Sequence, residues 1–153
     1  KSKNIINLNS KIDLTVCACI VYNKKILLLH HAKLNTWLFP EGHIEKNETP
    51  DQTLRREVLE KTNLDIRFLQ YSPLEKQPEE IEQLAIPFYT NLHSVGDHLH
   101  FSSFYLCTVI NPYLIKNYES NDMRWFSFEE LKTLEGVLPS IKEIAIFAIK
   151  KCG

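Results

Sequence analysis

The chain has 153 residues, 44% of them hydrophobic and 24% charged, so we expect one globular domain over residues 1–153 with a substantial core. A formal net charge of -1 gives no broad basic field, which argues against binding a long nucleic acid through its backbone. The sequence has no apolar run of about 18 residues and no charged-then-apolar leader, so neither a membrane span nor a signal peptide is expected.

A β-hairpin is predicted near the start of the chain. Residues 1–10 are polar and rich in asparagine, and we expect them to form a loosely held N-terminal segment. Residues 12–22 alternate and contain many β-branched side chains, which is typical of a strand. Residues 23–25 are a turn sequence that leads into the apolar run 26–31, so the two runs are predicted to pair.

Two of the four cysteines, Cys17 and Cys19, fall on one face of this first strand. They are either half of a metal site or small buried hydrophobic residues, and we favour the second interpretation. The four cysteine positions do not resemble a disulfide framework in a chain of this length. A reducing, cytoplasmic location is therefore expected.

A helix with clear start and stop signals is predicted from about residue 50. Thr49 stands at the N-cap, Pro50 falls at the first helical position, and Gln52 completes a capping box three residues after the cap. Asn63 readily accepts the left-handed conformation of a C-terminal cap. The helix is therefore expected to end near Asn63.

The two sides of this helix differ in chemistry. Leu54 and Val58 lie four residues apart and form a short apolar ridge toward the core, whereas Glu57 and Glu60 share the opposite, solvent-facing arc. Two neighbouring carboxylates repel each other, and they are tolerated most readily when a basic side chain or a hard metal ion lies between them. The pattern indicates a cation site and leaves the kind of cation open.

Three further strands are predicted at residues 64–72, 84–92 and 98–110. The first two are separated by an acidic, proline-containing loop at 73–81. Pro87 marks the second of them as an edge strand or a bulge. An edge strand of this kind allows a homodimer.

Strict alternation places His98, His100 and Ser102 on one face of the strand at 98–110. Two imidazoles at this spacing could bind a transition metal, but the sequence offers no third ligand at a convincing spacing. We therefore favour solvent-facing or site-lining roles for both histidines.

The last third of the chain is predicted to contain an irregular loop at 111–121, a strand that enters a helix at 123–131, and an amphipathic helix at 139–152. Ser127 and Glu130 form a second capping box. Strands flanked by helices predict an α/β fold with a mixed sheet.

The stretch 38–64 resembles the Nudix box, Gx5Ex7REUxEExGU, in which U is a bulky aliphatic residue. The residues that match the specified positions are Gly42, Glu48, Arg56, Glu57, Val58, Glu60 and Leu64. Two positions depart from the pattern, because Lys61 replaces the last glutamate and Asn63 replaces the glycine. Trp37 enters the box as a tryptophan does in Nudix proteins, and His43 belongs to a similar loop; both are candidate substrate-binding residues.

This resemblance implies an α/β/α sandwich with a mixed β-sheet. It implies hydrolysis of a pyrophosphate bond in a small nucleoside diphosphate-linked substrate, with Mg2+ or Mn2+ as cofactor. Glu57, Glu60 and the carbonyl of Gly42 would be metal ligands, and Glu57 is alternatively the catalytic base. Glu48 and Arg56 would form the structural ion pair of the box.

Lys61 modulates how active such a site can be, because it removes a carboxylate and adds a positive charge where a dication should bind. In one hypothesis Lys61 pairs with Glu57, and the chain binds a nucleotide or phosphorylated ligand without cleaving it. In the other, which we favour, its side chain swings outward and hydrolysis is retained but reduced. Metal would then be held by Glu57, Glu60 and a further acid. Candidates for that acid are Glu45, Glu79, Glu80 and Asp97.

Overall fold

The computed structural model describes residues 6–75, 77–115 and 122–152. The strands within these ranges are β1 (Ile12–Tyr22), β2 (Lys25–His31), β3 (Thr36–Leu38), β4 (Glu41–His43), β5 (Ile66–Phe68), β6 (Tyr89–Ser94), β7 (Leu99–Val109) and β8 (Met123–Ser127). The helices are α1 (Pro50–Thr62), α2 (Phe128–Thr133) and α3 (Pro139–Cys152). None of these helices is long and apolar enough to cross a bilayer.

The strands form a mixed sheet with β1 and β7 at its centre. These two strands run parallel, whereas β2 and β4 pair with β1, and β5 and β6 with β7, in antiparallel fashion. Helix α1 packs on one face of the sheet, and α2 and α3 pack on the other. The structure confirms the predicted α/β/α sandwich with a mixed β-sheet.

Strand β1 is buried on both faces and contributes to two cores. On one side Leu54 and Val58 of α1 are completely buried, as the apolar ridge predicted. On the other side Cys17 and Cys19 lie in the core under α3, and burial raises the pKa of both thiols well above the usual value. All four cysteines are free, and the packing role predicted for Cys17 and Cys19 is confirmed.

The helix caps follow the sequence closely. The Thr49 side chain accepts a hydrogen bond from the backbone N–H of Gln52, whose own side chain accepts from the Thr49 backbone N–H. Asn63 adopts φ +66°, so it is the left-handed C-cap that was expected. Ser127 and Glu130 form the second capping box at α2.

The hairpin of β1 and β2 is confirmed, but the middle strands differ from prediction. β5 covers only residues 66–68 of the predicted 64–72, and β6 begins at residue 89 rather than 84. One edge of β7 is shared between β6, along residues 99–104, and β5, along 107–109, so neither strand extends over its predicted range.

The short strands β3 and β4 were not predicted, because they depend on pairing with β2 and β1 rather than on a local pattern. Residues 6–10, before β1, contain no helix or strand, and neither do residues 111–115, after β7. The remaining parts of the predicted segments 1–10 and 111–121 lie outside the described residues.

Candidate active site

The loop before α1 is held to the helix by an ion pair. Arg56 donates from Nε to Glu48 Oε2 at 2.8 Å and from Nη2 to Oε1 at 3.0 Å. Thr53 Oγ1 also donates to Glu48 Oε1, at 2.7 Å. The pKa of Glu48 is lowered to about 2, mainly by the hydrogen bonds from Arg56 and secondly by the hydrogen bond from Thr53. Glu48 is therefore ionised at neutral pH and holds the loop in place.

Glu57 lies where β4 meets α1. Its side chain is only 17% exposed, and it packs so closely on Gly42 that a Cβ at residue 42 would overlap Cγ of Glu57. Arg56 Nη1 lies 3.3 Å from Glu57 Oε2 and 3.6 Å from Glu60 Oε1. The structure therefore brings Glu57 and the more exposed Glu60 to one guanidinium group, with Gly42 packed against Glu57.

Lys61 does not swing outward as the favoured hypothesis expected; its side chain is 40% exposed but its ammonium lies against this cluster. Its Nζ donates to the backbone carbonyl of Glu41 at 2.7 Å and lies 3.5 Å from Glu57 Oε1. Both carboxylate oxygens of Glu57 therefore contact a cationic side chain. The contact with Glu57 follows from the spacing of four residues along α1, whereas the contact with Glu41 depends on where β4 lies and had no local signal.

A second polar group adjoins the box through His43, the residue after Gly42. The register of β1 and β7 places Asp13 beside His100, and His43 Nε2 lies 3.6 Å from Asp13 Oδ2. The rings of His43 and His100 meet almost at right angles, with centroids 5.0 Å apart. The pKa of His100 is lowered, mainly by burial and secondly by the neighbouring His43. Sequence reasoning missed Asp13 because only the strand register brings it to these histidines.

Trp37 does not join either group. This residue is 8% exposed, and its ring packs edge-on against Phe126 with centroids 5.0 Å apart. The structure thus places Trp37 in the core under α3, where a substrate could reach little of it. His43, in contrast, has a side chain that is 56% exposed.

Within the described residues, no group of three metal-capable side chains combines the box glutamates with a further acid. The acids considered as further ligands were Glu45, Glu79, Glu80 and Asp97. Asp97, for example, is 94% exposed and pairs with His98 Nδ1 at 2.7 Å. That hydrogen bond lowers the pKa of Asp97. The group of three that the described residues contain is instead Asp13, His43 and His100.

The NUDIX domain family model matches residues 11–145. The chain belongs to the Nudix family. A hydrolase of the NUDIX family from Clostridium perfringens is 26% identical and superposes with a TM-score of 0.81, covering 92% of this chain and 98% of that chain. None of the curated proteins compared with the chain by sequence matches it.

Two more distant solved structures share the Nudix fold. An ADP-ribose pyrophosphatase from Streptococcus suis is 17% identical with a TM-score of 0.62, and the match covers 92% of this chain and 91% of that chain. A UDP-X diphosphatase is 16% identical with a TM-score of 0.64, and the match covers 94% of this chain and 64% of that chain. At these identities the likeness concerns the fold alone.

The box residues fit a hard divalent cation in part. Carboxylate and carbonyl oxygens are the ligands that Mg2+ and Mn2+ prefer, and the space left by the missing Cβ of Gly42 lets Glu57 lie against the backbone of β4. Lys61 opposes such a cation, because its ammonium already contacts Glu57 and the Glu41 carbonyl. A dication at this position would have to displace this ammonium or bind beside it.

Proposed function

We propose that this Nudix protein hydrolyses a pyrophosphate bond in a small nucleoside diphosphate-linked molecule, with Mg2+ or Mn2+, at a rate that Lys61 lowers. The observation that carries the proposal is the arrangement of the box: Arg56 clamps Glu48 while contacting Glu57 and Glu60, and Glu57 lies against Gly42. Carboxylates held rigidly in this way on a helix are suited to binding a divalent metal that shields phosphate charge and orients water.

Each box residue has a defined task in this proposal. Glu57, Glu60 and the Gly42 carbonyl would hold the metal, which would supply shielding of phosphate charge and orientation of the attacking water. Arg56 and Glu48 keep the loop fixed on α1 and are positioning residues.

A base role for Glu57 requires that one of its oxygens be able to accept a proton from water. In the structure both oxygens contact a cation, Arg56 at 3.3 Å and Lys61 at 3.5 Å. The contact with Lys61 must therefore open before Glu57 can act. His43, exposed beside Gly42, is the residue we propose to contact the substrate.

The same Lys61 contacts support a second candidate function. If the ammonium stays between Glu57 and the Glu41 carbonyl, it supplies the positive charge of the missing cation. The chain would then bind a nucleotide or another phosphorylated ligand without cleaving it. Hydrolysis remains the function we favour, because the rest of the box geometry is complete.

A comparison of Lys61 variants separates the two functions. The parent, Lys61→Glu and Lys61→Gln are assayed for pyrophosphate cleavage with Mg2+ and with Mn2+, and Mn2+ affinity is measured by calorimetry. Lys33→Glu, which makes the same two-unit charge change at an exposed loop residue, is the matched control. We expect measurable cleavage by the parent and at least tenfold tighter Mn2+ binding by Lys61→Glu, about 1.4 kcal/mol, with Lys61→Gln in between.

Absence of cleavage by the parent over the whole panel, with recovery in Lys61→Glu, would overturn hydrolysis as the function of the parent. Equal Mn2+ affinity in the parent and Lys61→Glu would instead show that Lys61 does not limit metal binding.

The substrate panel follows from the proposed class. It contains ADP-ribose and UDP-linked sugars, because two proteins of this fold are described as an ADP-ribose pyrophosphatase and a UDP-X diphosphatase. A short 5'-triphosphate RNA tests for an RNA-end hydrolase, which would need a basic groove with stacking aromatic side chains. Arg55, one of the few basic candidates for such a groove, instead lies over Phe68 and donates to the Ile66 carbonyl.

Two expectations about location and assembly stay predictions. The four free thiols agree with a reducing compartment such as the cytoplasm. In the described residues β6 pairs with β7 on one side, so its outer edge could accept a second copy of the chain. Analytical ultracentrifugation tests for this homodimer.

A further inference from the structure

Four of the six histidines of the chain gather at one end of the sheet. They are His43 on β4, His93 on β6, His98 in the turn before β7, and His100 on β7. The ring of His100 is central, with centroids 5.0 Å from His43, 5.5 Å from His93 and 5.2 Å from His98. His98 and His100 are close in the sequence, whereas strand pairing brings His43 and His93 to them.

One carboxylate faces this group. Asp13 Oδ2 lies 3.6 Å from His43 Nε2 and 3.3 Å from His98 Nε2. Lys11 contacts the other carboxylate oxygen, Oδ1, at 3.5 Å, so Oδ2 is the oxygen directed toward the imidazoles. One ligand atom each from Asp13, His43 and His100 lies within 4.8 Å of the others.

We propose that Asp13, His43 and His100 form a binding site for a divalent transition metal of the zinc class, separate from the glutamate cluster of the box. Ligand atoms around a tetrahedral Zn2+ at 2.0–2.1 Å are about 3.4 Å apart. Asp13 Oδ2 and His43 Nε2 are 3.6 Å apart, close to this separation. The His100 nitrogen lies within 4.8 Å of both ligand atoms and would have to move closer when the metal binds. Three protein ligands leave a fourth position open for water or another ligand.

The chemistry of the ligands distinguishes this site from the box. Two imidazole nitrogens and one carboxylate favour Zn2+, Co2+ or Ni2+, whereas the oxygen ligands of Glu57 and Glu60 favour Mg2+ or Mn2+. The two sets of metal ligands share no residue, so Zn2+ binding can be measured independently of the proposed hydrolysis. A Zn2+ ion on His43 would compete with the substrate contact proposed for that residue.

His98 supports the site from its border. Its Nδ1 pairs with Asp97 Oδ1 at 2.7 Å while its Nε2 approaches Asp13. A carboxylate on the far nitrogen is the arrangement that orients imidazoles around metal ions. His98 therefore helps to hold Asp13 in position.

Zn2+ titration by calorimetry tests the proposal, with Mg2+ in large excess so that oxygen-only sites are occupied. The parent should bind one Zn2+ per chain, and His100→Ala and Asp13→Asn should each bind at least tenfold more weakly. His31→Ala changes an exposed histidine outside the group and is the matched control, expected within about twofold of the parent. Glu57→Gln should also keep the Zn2+ affinity, because it alters only the box.

The visible absorption of bound Co2+ gives a second readout, since its ligand-field bands report the coordination of the ion directly. These bands should be present in the parent and in Glu57→Gln, and lost in His100→Ala and Asp13→Asn. Circular dichroism confirms that each variant is folded. No Zn2+ binding by the parent, unchanged affinity in both site variants, or loss of binding in Glu57→Gln would overturn the proposal.

Discussion

At residue 42 the absence of a side chain is what allows Glu57 to lie against β4. A Cβ at this position would overlap Cγ of Glu57, whose carboxylate is held from the other side by Arg56. The backbone of Gly42 does not have a positive φ, so alanine would meet a packing conflict rather than backbone strain. The glycine of the box is therefore required by the neighbouring carboxylate.

Gly42→Ala should destabilise the fold by about 1–3 kcal/mol, the usual range for overpacking, and should weaken Mn2+ binding because Glu57 is displaced. Urea unfolding and calorimetry measure the two effects. In a Glu57→Ala background the alanine has no Cγ to meet, so the destabilisation by Gly42→Ala should largely disappear. An equal cost in both backgrounds would show that the overlap with Glu57 is not the cause.

At the scale of single elements, α1 is stabilised by its own ends. The Thr49 hydroxyl accepts from the Gln52 N–H at 3.1 Å, and Gln52 Oε1 accepts from the Thr49 N–H at 2.9 Å. Thr49→Ala should therefore lower the free energy of unfolding by about 1 kcal/mol, whereas Thr49→Ser keeps the acceptor and should cost much less. Denaturant unfolding of the three proteins checks this order, and identical stabilities would exclude a role for the cap.

These element ends were predictable because they depend on residues three positions apart. Thr49, Gln52 and Asn63 carry their signals locally, and so does the contact of Lys61 with Glu57 one turn earlier. The register of strands carries no such signal. Asp13 meets His43 and His100, and Lys61 meets the Glu41 carbonyl, only after β4 and β7 have paired with β1. The box and its helix could therefore be predicted from the sequence, whereas the second polar group could not.

At the scale of the whole molecule, the ion pair of the box links stability to pH. Hydrogen bonds from Arg56 and Thr53 hold the pKa of Glu48 at about 2, below the value near 4.5 of a free glutamate. A carboxyl group whose pKa is lower in the folded state than in the unfolded state stabilises the fold. This stabilisation is complete at pH values above the unfolded-state pKa and is lost as the pH falls toward the folded-state pKa. The contribution of Glu48 should thus fade between about pH 4.5 and pH 2.

Glu48→Gln should consequently reduce stability at neutral pH and flatten its decline between pH 5 and pH 2, because glutamine does not titrate. Urea unfolding at a series of pH values measures both effects. Glu79→Gln, at an exposed loop residue, is the control and should retain the slope of the parent. If the parent and Glu48→Gln lost stability with the same slope over this range, Glu48 would not be the group that couples proton uptake to unfolding. The ion pair between Arg56 and Glu48 would then affect stability only by fixing the position of the loop.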